Sequence, residues 1–416
     1  MKKQYLYLSV VVLTFALITG LNSCKKDSTP ASSKITSLVA GSIDLNGLYS
    51  SSIVPANPTI VATFPADIDP ATVTADNIKL IRDYDTVNVA LTLTPSGKTI
   101  TIVPGENLAS GAMHKIVFGT GLKFTDGKAL TSEIIRTFTT DGFFAPTGMI
   151  AYWNFDENAN DLVGTHNPSA EIDMTYTASR KATAGNAATF NGTTSIIEIP
   201  NGDQLMNTNS RNFTLSFWFK PSDIGHGQFV IGLAAFYGFQ FELASDFTYF
   251  QMPVQYEYAN GTTGVPGNNL VYKGEGKTFS NGGWQGTVVN KLDDKLAVQL
   301  KDKWAHVVYV FNVATKERMF YLNGELVIKD DYNLWPAGAI EKTVVGPKYH
   351  GAEPDVYNDL AFGFIQSRRG TMWATETWGG YTKPGANHFF GQLDDIRIFD
   401  KAVSDAEVRL IYNSEK

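Results

Sequence analysis

Short β-type segments, in which apolar and polar residues alternate between turn residues, recur from about residue 35 to the end of this chain. Segments 59–64, 98–104 and 135–140 have this period of two, and Asn323-Gly324 between two further segments is a strong β-hairpin signal. The chain has 416 residues, of which 43% are hydrophobic and 12% aromatic, so it is long enough to bury two or three cores. The sequence therefore predicts an all-β protein with more than one domain.

Charge and cysteine content exclude several classes of function. The formal net charge is -7, with 34 Lys and Arg against 41 Asp and Glu, so the chain lacks the excess basic charge that nucleic acid requires. A single cysteine, Cys24, excludes a disulfide scaffold and a cysteine-based zinc cluster. We therefore expect no nucleic-acid partner.

The amino-terminal segment predicts the compartment. Lys2 and Lys3 precede an apolar stretch from about residue 6 to residue 18, and residues 21–24 are Leu-Asn-Ser-Cys. This order resembles the signal peptide and lipobox of bacterial lipoproteins, which implies a signal peptide over 1–23, lipidation of Cys24 and a polar lipidated tether over 24–34. We expect a surface-exposed protein anchored in the outer membrane by lipid. The alternative is an ordinary signal anchor with a free cysteine.

Tryptophan usage marks a domain boundary, because all seven tryptophans follow residue 150 and none lies in 35–141. In that first part, segment 59–64, Asp69-Pro70-Ala71, Asp126-Gly127-Lys128 and Phe138-Thr139-Thr140 follow one another in an order that resembles the bacterial Ig-like domains also found in surface-layer proteins. The resemblance implies an Ig-like β-sandwich over 35–141 that serves as a spacer. Residues 142–148, with Pro146, form a linker.

The rest of the chain, 149–416, resembles a second family. The segments that carry the resemblance are 152–157, 188–192, 213–221, 304–306, 321–324 and 393–399. Their order resembles the laminin-G-like, concanavalin A-like jelly rolls, which implies a second β-sandwich over 149–416. Ser404 and Glu407 form a capping box, so we expect a closing helix with Val408 and Ile411 turned inward. Two excursions, about 221–300 and 335–387, are longer than such folds need, and function tends to reside in such segments.

Residues that could bind a sugar are concentrated in the two excursions. Sugar binding requires aromatic faces for stacking together with amide, carboxylate or guanidinium groups for the hydroxyls. We predict that the ligand-binding residues are Tyr237, Trp284, Trp335, Arg368, Trp373 and Trp378. For the tryptophans, packing of the excursion itself is the alternative.

A structural calcium ion is a second expectation. On the last predicted strand, Asp394 shares a face with Ile396 and Ile398, so its carboxylate should point inward and need a partner. Concanavalin-like relatives often hold calcium where the first and last strands meet. The resemblance therefore implies a Ca²⁺ site formed by Asp156, Asn191 and Asp394. An ion pair with an arginine, or capping of turns, is the alternative.

An enzyme has to be considered, because concanavalin-like folds also include glycoside hydrolases. Glu171-Ile172-Asp173 matches the start of the laminarinase-type motif Glu-x-Asp-x-Glu, in which one strand face carries all three acids, but Thr175 stands at the third position. Retaining hydrolysis needs two carboxyl groups roughly 5 Å apart. The half-motif lacks the second of them, so we predict no catalytic residue.

We therefore predict a non-catalytic surface lipoprotein that captures polysaccharide or oligosaccharide. The same resemblance implies partners among outer-membrane transporters or hydrolases. One alternative is a glycoside hydrolase that uses loop carboxylates such as Asp355, Asp359 or Glu376. Another is an adhesion or protein-interaction lipoprotein without a glycan ligand, because laminin-G-like folds bind proteins as readily as sugars. Fold alone does not separate these functions.

Overall fold

The computed structural model describes residues 34–47, 50–266, 269–274, 287–288, 290, 292 and 294–416. The predicted signal peptide, Cys24 and nearly all of the tether precede these residues, and Trp284 also lies outside them. The described chain is nearly all β, as the sequence predicts. No helix among these residues is both long and apolar enough to cross a membrane.

The first domain is a sandwich of two five-stranded sheets. Its strands are β1 (Ser37–Ala40), β2 (Ile43–Asp44), β3 (Ser51–Val54), β4 (Ile60–Thr63), β5 (Ile78–Arg82), β6 (Asn88–Val89), β7 (Leu91–Ser96), β8 (Thr99–Pro104), β9 (Met113–Phe118) and β10 (Ile134–Thr140). One sheet has the order β2-β1-β4-β8-β7 and the other β3-β10-β9-β5-β6. Alternation explains the core, because Ile60 and Ala62 of β4 are buried whereas Val61 and Thr63 between and after them are half-buried.

The second domain contains the remaining strands. They are β11 (Met149–Trp153), β12 (Ala170–Ile172), β13 (Thr175–Ala178), β14 (Asn186–Asn191), β15 (Ile196–Ile199), β16 (Phe213–Pro221), β17 (Gln228–Leu233), β18 (Phe239–Leu243), β19 (Phe250–Met252), β20 (Tyr256–Tyr258), β21 (Thr263–Gly264), β22 (Leu270–Tyr272), β23 (Thr287–Val288), β24 (Ala305–Asn312), β25 (Glu317–Leu322), β26 (Glu325–Asp331), β27 (Val344–Pro347), β28 (Leu360–Phe362) and β29 (Phe390–Phe399). The turn between β25 and β26 is Asn323-Gly324, with φ of 51° and 84°, as the sequence predicts.

Two large sheets enclose the core of this domain. The nine-stranded sheet has the order β13-β14-β29-β16-β24-β25-β26-β23, with β11 paired to β29, and the seven-stranded sheet has the order β12-β15-β28-β17-β18-β19-β22. A small third sheet has the order β21-β20-β27. On β16, Phe217 and Phe219 enter the core between the sheets, while Ser216 and Trp218 lie on the outer face. Each large sheet therefore has one face in the core and one outer face.

The helices within the described residues are short. They are α1 (Leu296–Leu300), α2 (Met372–Thr375) and α3 (Asp405–Glu415), with single 3-10 turns at Pro70–Thr72, Ala182–Ala184, Gly202–Leu205, Ala235–Tyr237, Tyr332–Leu334 and Ile340–Thr343. The capping box predicted for α3 is present, because Ser404 Oγ accepts from Glu407 N and the Glu407 carboxylate accepts from Ser404 N. Val408 and Ile411 turn inward and pack on the outer face of the nine-stranded sheet.

The first domain joins the second through this same outer face. Phe144 of the linker is buried in one apolar cluster with Ala109 and Ala112 of the first domain and with Val308 and Val310 of β24. The linker also bridges back to the first domain between Ala145 and Ser110. The Ig-like domain is thus docked on the nine-stranded side, which leaves the outer face of the seven-stranded sheet on the opposite side of the core.

Candidate functional site

Part of the second excursion lies across the outer face of the seven-stranded sheet. Phe364 and Ile365 pack against Ile196 and Ala361, which are the outward residues of β15 and β28. The fit is close at Gly232 of β17, where an added Cβ would lie 2.5 Å from Ile365 Cα. Only glycine allows the two backbones to approach in this way. The outer face of the sheet therefore has a position, at Gly232, where the backbone of segment 363–388 packs directly on β17.

Aromatic rings of this segment form one cluster on the sheet, which we call the aromatic cover. Its members are Phe229 of β17 and Phe364, Trp373, Trp378, Tyr381 and His388 of the excursion. The His388 ring stacks on Phe364 at 4.3 Å and 18°, and Trp373 meets Tyr381 edge-on at 5.1 Å. Burial lowers the pKa of His388 to about 4, so it is neutral at physiological pH.

Two arginines fasten the excursion to the sheet. Arg368 binds Glu198 of β15 with two guanidinium nitrogens, Nε at 3.0 Å and Nη2 at 2.8 Å. Arg369 pairs with the buried carboxylate of Asp359 at 3.1 Å and stacks over the Tyr357 ring at 3.9 Å. Both guanidinium groups already have carboxylate partners within the protein, which indicates that their first role is to hold the excursion.

Beside the aromatic cover lies a polar pocket of about 410 Å³. It opens between the β18–β19 turn and the end of the excursion, and is lined by Gly227, Gln228, Phe229, Glu242, Leu243, Ala244, Ser245, Asp246, Thr248, Tyr249 and Asn387. Phe229 belongs to both the pocket and the aromatic cover, because its ring meets Trp378 at 6.1 Å. A carbohydrate in the pocket could therefore reach polar groups and aromatic rings at once.

Glu242 is the unusual group in this pocket. Its carboxylate accepts hydrogen bonds from the amides of Gln240 and Gln251, the latter at 2.7 Å. Burial raises the pKa of Glu242, against the hydrogen bonds from the two glutamines, which lower it. No Lys, Arg or His of the described residues forms an ion pair with it. Glu242 is partly buried, and a partly buried carboxylate without a cationic partner among the described residues is a candidate functional group.

The structure brings four of the predicted ligand residues together. Tyr237 and Trp378 pack on one small apolar cluster, Trp373 and Trp378 on another, and the Arg368 side chain contacts Tyr381 between them. All four are partly or largely exposed. Of these four, Trp378 contacts the lining of the polar pocket, because its ring meets Phe229 at 6.1 Å.

Trp335 lies elsewhere. It is 6% exposed in the core between the sheets, where its Nε1 donates to Asp330 at 3.1 Å. This prediction for Trp335 is wrong, because the short turn after β26 folds the ring inward against Tyr332. Trp284 lies outside the described residues.

Sequence reasoning missed Glu242, Phe229 and Asn387. The segment Phe239-Gln240-Phe241-Glu242-Leu243 alternates strictly, with the phenylalanines in the core and Gln240 and Glu242 outside. That alternation could have identified Glu242 as an outward carboxylate on a strand. Its lack of a cation depends on tertiary contacts and has no sequence signal.

The three residues predicted to bind calcium have other partners. Asp394 does not share a face with Ile396 and Ile398, because a bulge at Asp395, with φ of 47°, shifts the alternation by one residue. Its carboxylate instead lies on the outer face and binds Arg180 Nη1 at 2.6 Å. This corrects the expected inward orientation, and the arginine ion pair that was left open as the alternative is what the structure shows.

Asp156 and Asn191 are equally engaged. The Asp156 carboxylate accepts from Asn154 Nδ2 at 2.5 Å and from Asn186 N at 3.1 Å. Asn191 Oδ1 caps its own turn by accepting from the backbone amides of residues 193–195. Asn191 pairs with Phe390, four residues before Asp394 on β29. Among the described residues, no group of three or more His, Cys, Asp or Glu is arranged to hold a metal ion.

Asp394 belongs to a buried ion network on the nine-stranded side. Arg180 also contacts Asp395 and stacks over Trp218 at 4.6 Å, while Arg397 binds Glu415 at 2.6 Å and Asp395 at 3.2 Å. Burial and the neighbouring Asp395 raise the pKa of Asp394. The network joins the strand pair β16–β29 to the end of α3, which is a structural task.

The acids of the half-motif do not share a strand. Glu171 lies on β12 of the seven-stranded sheet, which ends at Ile172, and Thr175 begins β13 of the nine-stranded sheet. Asp173 sits in the turn between them with φ of 48° and accepts from Thr194 Oγ1. The laminarinase-type geometry of one strand face is therefore absent here. Of the loop carboxylates, Asp359 is paired with Arg369, and Asp355 accepts from Thr371 at 3.0 Å.

Two family models match the chain in the regions of its two sandwiches. Residues 49–140 match the bacterial Ig-like domain. Residues 191–362 match the concanavalin A-like lectin/glucanases superfamily. The chain contains a bacterial Ig-like domain followed by a concanavalin A-like domain. The concanavalin match includes Glu242 and ends at the last residue of β28, just before segment 363–388.

Solved structures with a similar arrangement include bacterial toxin domains. The binding domain of Paraclostridial Mosquitocidal Protein 1 has 15% identity and a TM-score of 0.41, with 64% of this chain and 52% of that chain covered. The botulinum neurotoxin serotype D ligand binding domain in complex with N-acetylneuraminic acid has 13% identity and a TM-score of 0.40, with 64% and 51% covered. The chain thus spans about half the length of these structures. No curated protein matches the chain.

Proposed function

We propose that the concanavalin A-like domain binds carbohydrate in the polar pocket and along the adjoining edge of the aromatic cover. A pyranose presents hydroxyls around its rim and an apolar C–H face, so its binding site needs hydrogen-bonding groups next to an aromatic ring. The observation that carries the proposal is Glu242, a partly buried carboxylate without a cationic partner among the described residues, lining an open pocket. Asn387 and Asp246 add further polar groups to the same lining.

The aromatic cover supports the proposal from the other side. Trp378 is partly exposed, and its ring meets Phe229 of the pocket lining at 6.1 Å. Rings held rigidly by packing lose little entropy when a sugar stacks on them. The superfamily match to lectins and glucanases is consistent with a carbohydrate ligand, although fold alone does not decide function.

We further propose that the protein is an outer-membrane lipoprotein, acylated at Cys24, that captures polysaccharide at the cell surface beside transporters or hydrolases. The order of residues 1–24 supports the anchor. The docking of the Ig-like domain on the nine-stranded side supports the role of a spacer, since the candidate pocket then lies on the opposite face. Metabolic labelling with a fatty acid tests the anchor, and labelling that persists in Cys24→Ala would contradict it.

Carbohydrate binding is tested by affinity electrophoresis of the full chain in gels that contain soluble polysaccharides, with release of reducing sugar followed in parallel. We expect retardation on a subset of glycans, no sugar release and loss of retardation in Asn387→Ala. Glu325→Gln is the matched control, because Glu325 is 56% exposed on a distant hairpin. Sugar release would establish the hydrolase alternative, and absence of retardation on every glycan would favour the adhesion alternative.

A further inference from the structure

The charged residues that the structure describes in the lining of the polar pocket are all acidic. Glu242 and Asp246 contribute carboxylates, and none of the described residues in the lining is Lys, Arg or His. Anionic sugars such as uronates or sialates would bring a third negative charge into a confined space, which like-charge repulsion opposes. We therefore expect the pocket to disfavour anionic sugars on the basis of charge, whatever the arrangement of their hydroxyl groups.

The Glu242 carboxylate is oriented so that it can accept further hydrogen bonds. Asn269 Nδ2 donates to Gln251 Oε1 at 3.3 Å, which leaves the Gln251 amide nitrogen directed at the Glu242 carboxylate. Neutral amides fix the orientation of Glu242 without neutralising its charge. A carboxylate has about four lone-pair positions, of which the two glutamines use two. The others are available to a ligand.

A cationic ligand is the complement that this arrangement lacks. Glu242 is partly buried and its partners among the described residues are neutral amides, so a positive charge within hydrogen-bonding distance would offset the cost of its partial desolvation through a charge-assisted bond. The raised pKa of Glu242 has the same origin in burial and would fall on binding a cation. Tyr249 and Phe229 in the lining present rings to the apolar face or to the charge of such a ligand.

We propose that the polar pocket selects glycans that present a protonated amine, namely amino sugars that are not N-acetylated, over neutral and anionic glycans. The amine binds Glu242, Asp246 at the rim adds attraction, and the sugar ring rests against the aromatic residues. This inference rests on the proposed function, because it names the ligand class of the same pocket.

The test compares glycans that differ in charge alone. Binding of a glucosamine oligosaccharide to the full chain is measured by calorimetry at mildly acidic pH, next to its fully N-acetylated counterpart and sialyllactose. We expect the free amine to bind at least about tenfold more tightly than the acetylated form, a preference that weakens as salt is added. Sialyllactose should not bind.

Variants separate selection at the pocket from general attraction to an acidic protein. Glu242→Gln should remove the preference while weaker binding of the acetylated sugar persists. Asp246→Asn should reduce the preference less, and it leaves the turn intact because asparagine can accept the same bonds from Thr248. Asp246 is exposed, so this variant remains informative if Glu242→Gln does not fold. The Glu325→Gln control should bind as the unaltered protein does.

Each outcome decides between the two proposals. Equal binding of the free and acetylated sugars would overturn the charge selection and leave carbohydrate binding in place. A preference for the amine that is unchanged in both pocket variants would assign it to the net charge of -7 and also overturn the selection. Binding to sialyllactose alone would do the same. No binding to any glycan would overturn the proposed function and this inference with it.

Discussion

The two outer faces of the concanavalin A-like domain treat buried charge in opposite ways. On the nine-stranded side, Arg180 and Arg397 contact the carboxylates of Asp394, Asp395 and Glu415, and α3 and the Ig-like domain cover the surrounding face. On the seven-stranded side, the partners of Glu242 among the described residues are the amides of two glutamines, and Glu242 faces an open pocket. Charges that are paired with one another connect parts of a fold even where, as here, they line a pocket of about 170 Å³, whereas a partly buried charge without a counter-ion among the described residues is available to a ligand.

The same distinction separates residues within the seven-stranded side. Arg368 was predicted from the sequence to bind ligand, yet its guanidinium group is bound to Glu198, and that of the neighbouring Arg369 is bound to Asp359. They fasten the excursion that carries the aromatic rings. Glu242, which no motif marked, has the unmet electrostatic requirement. Residue type therefore indicates less about function here than whether the partner of each charge is already present.

Breaking the network on the nine-stranded side should have the largest effect on stability. Arg180→Met leaves Asp394 and Asp395 without this cation and removes the bond from Arg180 to the Glu415 carbonyl. Loss of one partner of a buried ion pair costs about 3–5 kcal/mol. We expect a fall of that size in the free energy of unfolding, measured by urea titration. Arg409→Met, which removes an ion pair that is 56% exposed on both sides, should cost less than about 1 kcal/mol. Equal losses would erase the distinction between the two kinds of charge.

Acid should act on the seven-stranded side through His388. Its pKa in the folded protein, about 4, is below the ordinary value of 6.5, so the unfolded chain takes up a proton that the folded protein resists. The contribution of neutral His388 to the free energy of unfolding is fully present above about pH 6.5. It is lost as the pH falls towards about 4, which lowers the free energy of unfolding by up to about 3 kcal/mol. We expect His388→Phe to flatten this part of the pH dependence of urea unfolding.

A second contribution should come from His306 on the nine-stranded side. Burial lowers its pKa to about 3, so its contribution is lost over the wider range from about pH 6.5 to about 3. As the pH falls, the contribution of His388 to stability should therefore be fully lost near pH 4, whereas that of His306 continues to fall towards about pH 3. The aromatic cover should loosen first. If His388→Phe and the unaltered protein follow the same pH curve, His388 does not control the cover.

A methyl group at Gly232 should separate the excursion from the sheet. The added Cβ of Gly232→Ala would meet Ile365 at 2.5 Å, and crowding of this kind costs about 1–3 kcal/mol. We expect faster hydrogen exchange in segment 363–388, measured by mass spectrometry, with little change on the nine-stranded side. Gly119→Ala is the control, since its Cβ would lie 3.5 Å from the nearest atom. Unchanged hydrogen exchange in 363–388 would show that the contact between Gly232 and Ile365 tolerates a side chain at residue 232.

The sequence predicted those features that depend on local pattern. Alternation indicated both sandwiches, Asn323-Gly324 indicated its hairpin, and the capping box at Ser404 indicated α3 with the correct inward face. The orientation of Asp394 was wrong because a single bulge residue reverses which side chains face the core, and no local signal marks that bulge. The partners of Glu242 and Trp335 likewise arise from strands that are distant in the chain.

Calcium should have the smallest effect of all. Asp394 has Arg180 as its counter-ion, Asp156 has amide donors and Asn191 caps its own turn. A calcium ion at Asp394 would have to displace Arg180, which would exchange one buried ion pair for another and leave the guanidinium without that carboxylate. We therefore expect the thermal unfolding midpoint of the full chain to be the same after exhaustive chelation and after calcium is restored. A midpoint that rises with calcium in the unaltered protein but not in Asp394→Asn would contradict this prediction. It would show that the charges around Asp394 form a ligand site and not only a structural ion network.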